Sequence, residues 1–237
     1  MDSGMKIAIM QPYFFPYIGY FQLINCVDEF IVYDDIKFTK KGWINRNRIL
    51  VNNRPFTITL PLKKDSDSKM IFERCLSDSF ISDRDYLLRL IKENYRHAPY
   101  YKEVYQLIET CLNFNDHNLF PFIFNTIRAI VNYLEIDTTI FISSNVGDTN
   151  KLKCENRVIE ICKIKNANIY VNPIGGIELY NKNDFARHGI DLYYLKTKEI
   201  AYKQFNNEFI PNLSIIDVMM FNSKEEIHKM LNEYELL

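Results

Sequence analysis

The start of the chain joins a short apolar strand to a helix through an aromatic turn that contains two prolines. Of all the features of the sequence, this order of elements constrains the possible fold most strongly. Residues 7–10 form an apolar run between Gly4 and a Gln-Pro pair, as expected of a buried strand. Pro16 has no amide hydrogen and a fixed φ, so it suits the first turn of a helix that runs on through Ile24. Backbone amides at such a junction can point at an anion. The start of the chain therefore predicts a binding site.

Composition and charge restrict the classes of protein to which the chain can belong. Its 237 residues are enough for one sizeable core, and a hydrophobic content of 47% is ordinary for a globular protein. A net charge of -1 argues against general nucleic-acid binding. The sequence has no apolar run of membrane-span length and no signal-peptide pattern, and its five cysteines lack metal-type spacing. We therefore expect a cytoplasmic protein with reduced thiols, no membrane span and no structural metal.

The order of strand-like and helix-like patterns predicts an α/β fold. The C-terminal part of the chain alternates strand and helix, which favours a Rossmann-like, mostly parallel sheet with right-handed crossovers. Helical spacing over approximately residues 82–135 indicates a helical section inserted in the middle of a single domain at residues 5–237. The end is expected to be helical, with a capping box at Ser223 and Glu226. Strands are expected at residues 7–10, 28–35, 56–60, 138–143, 168–171 and 191–195, with a stretch dense in charges and amides at residues 37–54.

Polar segments follow four of the expected strands. In a parallel sheet the carboxyl ends of the strands share one edge, and ligands collect there. Each segment alone also fits an ordinary surface loop, but their shared edge favours one site for a phosphate-bearing polar ligand. The segments are residues 11–20, 34–47, 143–147 and 172–180. The candidate binding residues within them are Gln11, Tyr13, Tyr17, Gly19, Tyr20, Lys37, Lys40, Trp43, Asn45, Arg46, Asn47, Ser143, Asn172, Gly175, Gly176 and Tyr180.

The charged segment after the second strand has the composition of a catalytic site. Asp34 and Asp35 stand at a strand end, where carboxylates can orient or deprotonate an amine, bind a metal or accept sugar hydroxyls. Lys40 and Arg46 are suited to neutralising phosphates, and Trp43 to stacking on a base or sugar ring. The competing interpretation is a solvated loop in which Trp43 serves as the hydrophobic anchor.

Other motifs give less specific signals. Gly175 and Gly176 permit close backbone approach to a ligand, although two glycines are also a common turn. His97 is a candidate general base near neutral pH, with a helix-terminal cap as its alternative role. The four histidines show no ligand spacing, so no metal site is expected.

Two N-terminal motifs resemble those of the WbqC-like family, and the resemblance covers nearly the whole chain from Met5. The matching stretches are residues 11–21, 34–47 and 98–101, Gly175-Gly176 with Tyr180, the region of Tyr202, and residues 211–217. Members of this family occur among bacterial genes for O-antigen (lipopolysaccharide) and other surface polysaccharides. The resemblance implies cytosolic chemistry on nucleotide-linked sugars, often 4-amino-4,6-dideoxy sugars that later carry an acyl or aminoacyl group such as glycyl. It carries no catalytic residue over to this chain.

Residues 7–24 are also similar to the strand, proline loop and HxGH helix of nucleotidylyltransferase-like enzymes, including pantothenate synthetase. Residues 28–38 are similar to their second strand, and residues 142–144 to their serine-rich phosphate loop. Pantothenate synthetase activates a carboxylate as an adenylate and then forms an amide. Tyr17 and Tyr20 stand at the two histidine positions, and tyrosine cannot be cationic at neutral pH. Stabilising a triphosphate would then fall to Lys37, Lys40, Lys41 or Arg46.

Three hypotheses about function remain. The first is a transferase that forms an amide, aminoacyl or acyl, on the amino group of a nucleotide-linked 4-amino-4,6-dideoxy sugar. The second is a nucleotidylyltransferase-like enzyme with a phosphate acceptor, and the third is a non-catalytic nucleotide-sugar-binding partner of another enzyme. The donor stays open between a free amino acid with ATP and Mg²⁺, aminoacyl-tRNA, coenzyme A and a carrier protein. The sugar, the metal requirement and the oligomeric state, a homo-oligomer included, stay open too.

Overall fold

A six-stranded sheet forms the centre of the computed structural model, which describes residues 4–205 and 208–237. The strands are β1 (Lys6–Met10), β2 (Glu29–Val32), β3 (Arg46–Val51), β4 (Arg54–Thr59), β5 (Thr139–Ile142), β6 (Ile169–Pro173), β7 (Asp191–Thr197) and β8 (Tyr234–Leu236). The α-helices are α1 (Ile18–Asn25), α2 (Phe80–Tyr95), α3 (Tyr101–Leu112), α4 (Leu119–Tyr133), α5 (Cys154–Ile164), α6 (Lys182–Ala186), α7 (Ile215–Phe221) and α8 (Lys224–Met230). Short 3-10 helices cover Ile71–Glu73, Ser143–Asn145 and Ile174–Leu179.

The strand order confirms the prediction of a Rossmann-like α/β fold. The sheet runs β5-β2-β1-β6-β7-β8, with β8 antiparallel to β7 and all other pairs parallel. The chain first builds outward from β1 to β2 and β5, and then returns through α5 to place β6 on the other side of β1. The direction of winding therefore reverses between β1 and β6. Ligands of such sheets bind outside the carboxyl ends of the strands at this kind of switch point.

Helices cover both faces of the sheet, because successive strand side chains point to opposite faces. Ala8 and Phe30 belong to the larger apolar cluster, together with side chains of α1, α4 and α7. Ile7 and Ile31 belong to a second cluster with side chains of α5 and α6. Burial on both faces explains why β1 and β2 have almost uninterrupted apolar sequences.

A separate β-hairpin, formed by β3 and β4, differs from the prediction. Strand β4 confirms the strand expected at residues 56–60, but it pairs antiparallel with β3 and not with the central sheet. Strand β3 lies where only a charged, amide-rich stretch was expected, so that interpretation was wrong for residues 46–51. Asn52 and Asn53 connect the two strands with φ values of 48° and 60°. Asn tolerates such left-handed conformations, which tight two-residue hairpin turns require.

The C-terminal end is helical as expected, except for its last residues. Ser223 and Glu226 form the predicted capping box: the Glu226 amide donates to Ser223 Oγ (3.2 Å), and the Ser223 amide donates to Glu226 Oε2 (2.7 Å). The chain then forms β8, whose Leu236 lies opposite Leu195 of β7. A strand of three residues shows too little periodicity to be recognised from sequence.

Three helices, α2, α3 and α4, occupy the stretch between β4 and β5. Asn118 caps α4, since its side chain accepts a hydrogen bond from the Phe120 amide (3.0 Å). Among the described residues, no helix combines the length and the apolarity needed to cross a membrane.

A buried carboxylate joins α2, α7 and the segment that follows β7. Asp217 is 0% exposed and accepts hydrogen bonds from the hydroxyls of Tyr95 (2.8 Å) and Tyr202 (2.6 Å) and from the amide of Gln204 (2.6 Å). The Tyr95 hydroxyl also accepts from the Leu50 amide of β3 (2.7 Å). Burial raises the pKa of Asp217, and the three donors oppose that rise. The network therefore holds together the helical section, the hairpin and the chain that leads into α7.

Asp217→Asn is expected to lower the free energy of unfolding by about 2 kcal/mol, because the amide turns a donor toward donors that are already buried. Urea denaturation at neutral pH measures this change. Asp137→Asn, which alters an exposed acid, is the matched control and should stay within about 0.5 kcal/mol of the wild type. Equal stability of the two variants would contradict the role given to Asp217.

Candidate functional site

Carboxylate and hydroxyl groups meet where β2 and β5 end. The two strands pair in parallel with Val32 opposite Ile142, so the residues that follow them lie side by side. Oδ1 of Asp34 accepts from the Ser143 hydroxyl (2.9 Å) and the Ser144 amide (3.0 Å), and its Oδ2 accepts from the Ser144 hydroxyl (2.7 Å). Asp34 and Ser143 are both buried. The carboxylate of Asp34 is thus committed to holding this edge of the sheet.

Asp35 forms a buried ion pair with α5. Nη2 of Arg157 lies 2.7 and 2.6 Å from the two carboxylate oxygens of Asp35. The side chain of Arg157 is 6% exposed, and that of Asp35 is 12% exposed. Arg157 also donates to Thr149 Oγ1 (3.2 Å), and its guanidinium lies 4.8 Å from the centre of the Tyr33 ring. The Ser143 hydroxyl contacts Asp35 as well (2.5 Å). Arg157 and Ser143 thus hold the Asp35 carboxylate in place at the end of β2.

The loop between β1 and α1 is held from two sides. The side-chain amide of Asn47 donates to the carbonyls of Phe14 (3.1 Å) and Phe15 (2.8 Å). The Ser214 hydroxyl, at the start of α7, donates to the Phe15 carbonyl (2.7 Å). Phe15 has a φ of 41°, a left-handed conformation that bulky residues rarely adopt. Backbone strain that is fixed in this way clusters at binding and catalytic sites.

An aromatic cleft of about 370 Å³ opens beside this loop. It is lined by Tyr13, Pro16, Tyr17, Trp43, Asn47, Arg48 and Asn212. Only two of the four polar segments expected at this edge contribute to the lining, namely residues 11–20 and 34–47. An adjoining cavity of about 500 Å³ shares Tyr17 and Asn212 with the cleft and extends along the end of β7. Tyr17 therefore belongs to the walls of both spaces.

Trp43 gives the cleft its stacking surface. The side chain is 40% exposed, and the guanidinium carbons of Arg46 and Arg48 lie 5.7 and 5.5 Å from its ring centre. Arg46 is fixed by donation to the Gly42 carbonyl (2.9 Å). Arg48 donates to the Asn212 carbonyl (3.2 Å), and its Nε is buried without a partner. An exposed aromatic ring beside guanidinium donors suits an anion that carries a ring.

The tyrosines of the cleft are hydrogen-bond donors at neutral pH. Burial raises the pKa of Tyr13, with a smaller contribution from Tyr17, and burial raises the pKa of Tyr17. Both hydroxyls thus stay protonated. None of the seven described lining residues is an acid or a histidine. The cleft can therefore bind and neutralise an anion, but its walls offer no side chain that takes up a proton near neutral pH.

Gly19 and Gly176 stand where any side chain would collide. A Cβ at position 19 would overlap the Tyr17 ring and would lie 2.7 Å from Thr197 Oγ1. A Cβ at position 176 would overlap the side-chain amide of Asn172, which is buried. Glycine at position 19 thus allows the Tyr17 ring to fold over the start of α1.

Other predicted site residues have structural roles or lie away from the cleft. Tyr20 is 1% exposed and donates to the Gln11 carbonyl (3.0 Å). Of the two tyrosines at the positions similar to HxGH, only Tyr17 therefore faces the cleft. His97 is exposed beyond the end of α2 and does not line the cleft.

The remaining predicted residues are spread over three places. Lys37 is exposed and pairs with Met70 in an isolated bridge. Asn172 accepts from the Tyr170 hydroxyl (3.1 Å), Tyr180 packs edge-on against the Tyr170 ring, and Gly175 is exposed with open space around it. Lys40 and Asn45 line a different cavity, together with Lys63, Lys64 and Arg74. Among the described residues, no group of three or more His, Cys, Asp or Glu side chains could hold a metal ion.

Sequence reasoning missed Arg48, Asn212 and Arg157. Arg48 stands two positions after Arg46 in β3, so strand periodicity would have found it if β3 had been recognised. Asn212 and Arg157 reach the site from distant parts of the chain, and no local pattern connects them to it.

The chain is similar to a known protein family and to a known protein. The model of the WbqC-like protein family matches residues 11–229. The chain is 30% identical over 223 residues to "Uncharacterized protein Rv1507c" of Mycobacterium tuberculosis, an alignment that covers 92% of this chain and 93% of that protein. No solved structure matches the chain significantly.

Asp35→Asn is expected to lower the free energy of unfolding by about 3 kcal/mol, because it leaves the Arg157 charge buried without its counter-ion. A double-mutant cycle with Arg157→Gln should show a coupling free energy of at least about 1 kcal/mol. Chemical denaturation measures all four proteins.

The control for this cycle is Asp148→Asn, which breaks the exposed Lys151–Asp148 pair (3.3 Å). It should change stability by less than about 1 kcal/mol, since exposed pairs contribute little. Additive effects of the Asp35 and Arg157 substitutions would show that the buried ion pair does not hold this edge.

Proposed function

Because the chain belongs to the WbqC-like protein family, we propose that it is a transferase that forms an amide on a nucleotide-linked sugar. The sugar would be a 4-amino-4,6-dideoxy sugar, and its amino group would receive an aminoacyl (for example glycyl) or acyl group for a bacterial surface polysaccharide. The observation that carries the proposal is the exposed ring of Trp43 beside Arg48, in a cleft where the loop after β1 meets the hairpin.

The cleft supplies the contacts that a nucleotide-linked sugar needs. The base or the sugar ring stacks on Trp43, as aromatic side chains commonly do with such rings. The guanidinium of Arg48, which lies beside Trp43 in the wall of the cleft, and the protonated hydroxyls of Tyr13 and Tyr17 would donate to diphosphate oxygens. The strained loop at Phe15, held by Asn47 and Ser214, keeps these donors in place before a ligand arrives.

The adjoining cavity provides room for the second substrate. It shares Tyr17 and Asn212 with the wall of the cleft, so an acyl or aminoacyl donor there would lie close to the bound sugar. The amine nitrogen attacks the carbonyl carbon of an activated donor (an acyl adenylate, an aminoacyl-tRNA or a thioester) and forms the C–N bond. The bond from that carbon to the leaving group breaks, and the proton that the amine loses passes to the leaving group or to water. Holding both substrates at one border accounts for much of the acceleration in reactions of this kind.

A second candidate function is favoured by one specific observation. The described residues that line the cleft include no acid and no histidine, and Asp34 and Asp35 are engaged by Ser143, Ser144 and Arg157. A cleft without a proton acceptor fits a non-catalytic nucleotide-sugar-binding partner of another enzyme. The two candidates share the ligand and differ in turnover.

Trp43→Ala is expected to weaken binding of a dTDP-linked 4-amino sugar at least about fivefold, since stacking on one aromatic side chain contributes about 1–3 kcal/mol. Isothermal titration calorimetry measures the dissociation constant. Trp43→Phe should keep part of the affinity. Tyr86→Ala, which removes another exposed aromatic side chain, should leave the dissociation constant unchanged. If Trp43→Ala bound the sugar with unchanged affinity, the aromatic cleft would not be its binding site.

Turnover is expected when the protein is incubated with the same sugar and the right donor. Glycine with ATP and Mg²⁺, glycyl-tRNA and acyl coenzyme A are offered one at a time, and mass spectrometry detects the sugar with one added acyl group. Trp43→Ala should form the adduct more slowly than Tyr86→Ala. Saturable sugar binding without an adduct from any donor would contradict the transferase and favour the binding partner.

A further inference from the structure

A cavity rich in cationic side chains, here called the basic cavity, shares no lining residue with the aromatic cleft. Its volume is about 470 Å³, and Phe38 and Leu62 form the apolar part of its wall. One carboxylate, Asp65, also lines it and is held by Lys69 at 2.6 Å. The cationic side chains of the lining are Lys40, Lys63, Lys64 and Arg74. The positive charges of the wall therefore exceed its negative charge.

Arg74 is the most constrained of these cations. It follows the 3-10 helix Ile71–Glu73 and is 3% exposed, with its guanidinium 4.9 Å from the centre of the Phe38 ring. Nη2 donates to the Ser66 carbonyl (2.9 Å), and Nε is buried without a partner. No carboxylate of the described residues lies within ion-pair distance of this guanidinium. A buried charge with unused donors is costly unless an anion pairs with it.

The lysines at the rim are free to turn toward a ligand. Lys63 pairs with Asp78 (2.7 Å), but the two side chains are 51% and 91% exposed, and Lys40 pairs with Asp67 in a similarly exposed contact. Such pairs contribute little to stability and exchange readily. Lys64 is exposed, and no ion pair to it is found among the described residues. Charges on flexible stems around a fixed guanidinium suit a ligand with several anionic oxygens.

A purely structural role for Arg74 is the competing explanation. The pKa of Asp65 is lowered by Lys69 and more weakly by Arg74. The pKa of Asp67 is lowered by Lys40 and more weakly by Arg74. These carboxylates thus balance part of the Arg74 charge from a distance. Each of them already contacts a lysine at 2.6 Å, however, so neither satisfies the buried Nε donor.

We propose that the basic cavity is a binding site for a phosphate or diphosphate group, with Arg74 as its buried donor and Lys63 and Lys64 as rim cations. The planar guanidinium presents paired donors that match two phosphate oxygens. The site stands whether or not the protein transfers an acyl group, since none of its residues lines the aromatic cleft.

Isothermal titration calorimetry of the full chain with inorganic pyrophosphate and with inorganic phosphate tests the site. The wild type should bind pyrophosphate saturably, and the double variant Lys63→Gln/Lys64→Gln should bind it at least tenfold more weakly. Arg74→Gln should abolish binding, and the lysine variant keeps the test valid if Arg74→Gln fails to fold. The control Lys163→Gln/Lys229→Gln removes two exposed lysines outside the cavity and should bind like the wild type. Absent binding in the wild type, or equal affinity in both double variants, would overturn the proposal.

Two further experiments test whether pyrophosphate binds in the basic cavity and not in the aromatic cleft, and which kind of molecule carries the phosphate. Trp43→Ala should bind pyrophosphate like the wild type, and a parallel loss of pyrophosphate binding would overturn the assignment to the basic cavity. Wild-type protein saturated with pyrophosphate is then titrated with the dTDP-linked amino sugar. Independent binding assigns the cavity to a separate phosphorylated molecule and leaves the diphosphate of the sugar in the aromatic cleft. Competition assigns the cavity to the diphosphate of the sugar, which supports the phosphate site at Arg74 but contradicts the placement of that diphosphate on Arg48 in the cleft.

Discussion

Parallel pairing of β2 with β1 on one side and β5 on the other is the constraint on which the site depends. The helical section α2–α4 lies in sequence between β2 and β5, yet the register of Val32 opposite Ile142 brings Asp34 beside Ser143. The hydrogen bonds of Asp34 and the ion pair of Asp35 with Arg157 then fix this edge against α5. Strand register is exacting, because a shift of one residue would turn every side chain to the other face.

The aromatic cleft is built by chain that lies outside the sheet. The loop after β1 has no regular structure of its own, and its shape comes from side chains of the hairpin and of the start of α7. Asn47 and Ser214 bond the same carbonyl, that of Phe15, from two sides. Arg48 joins these two elements by donating to the carbonyl of Asn212. A loop held by long-range contacts keeps its donors aligned without the ordering cost that a mobile loop would incur on binding.

Particular residues show what could be predicted from the sequence and what could not. The parallel strands of the central sheet and the main helices follow from apolar periodicity. Trp43 was predicted as a site residue because a sole tryptophan in a basic, Asn-rich segment is unusual, and Tyr13 and Tyr17 because they lie in the turn after the first expected strand. Strand β3 escaped recognition because its alternation of Arg and Asn resembles a charged loop, although Asn52-Asn53 carries the signal of a tight hairpin turn. The engagement of Asp35 by Arg157 is a tertiary contact across 122 positions, which no local pattern reveals. The prediction of Tyr20 as a binding residue was wrong for a related reason. Helical periodicity predicts which face of a helix is buried, but it does not predict which group the hydroxyl of one tyrosine contacts.

Trp43 is the only tryptophan of the chain, and it lies in the cleft that the account makes central. Its intrinsic fluorescence therefore reports on that cleft alone. Titration with a dTDP-linked 4-amino sugar should change the emission saturably, with the same dissociation constant that calorimetry gives. Unchanged emission under conditions where calorimetry records binding would place the sugar elsewhere and contradict the account.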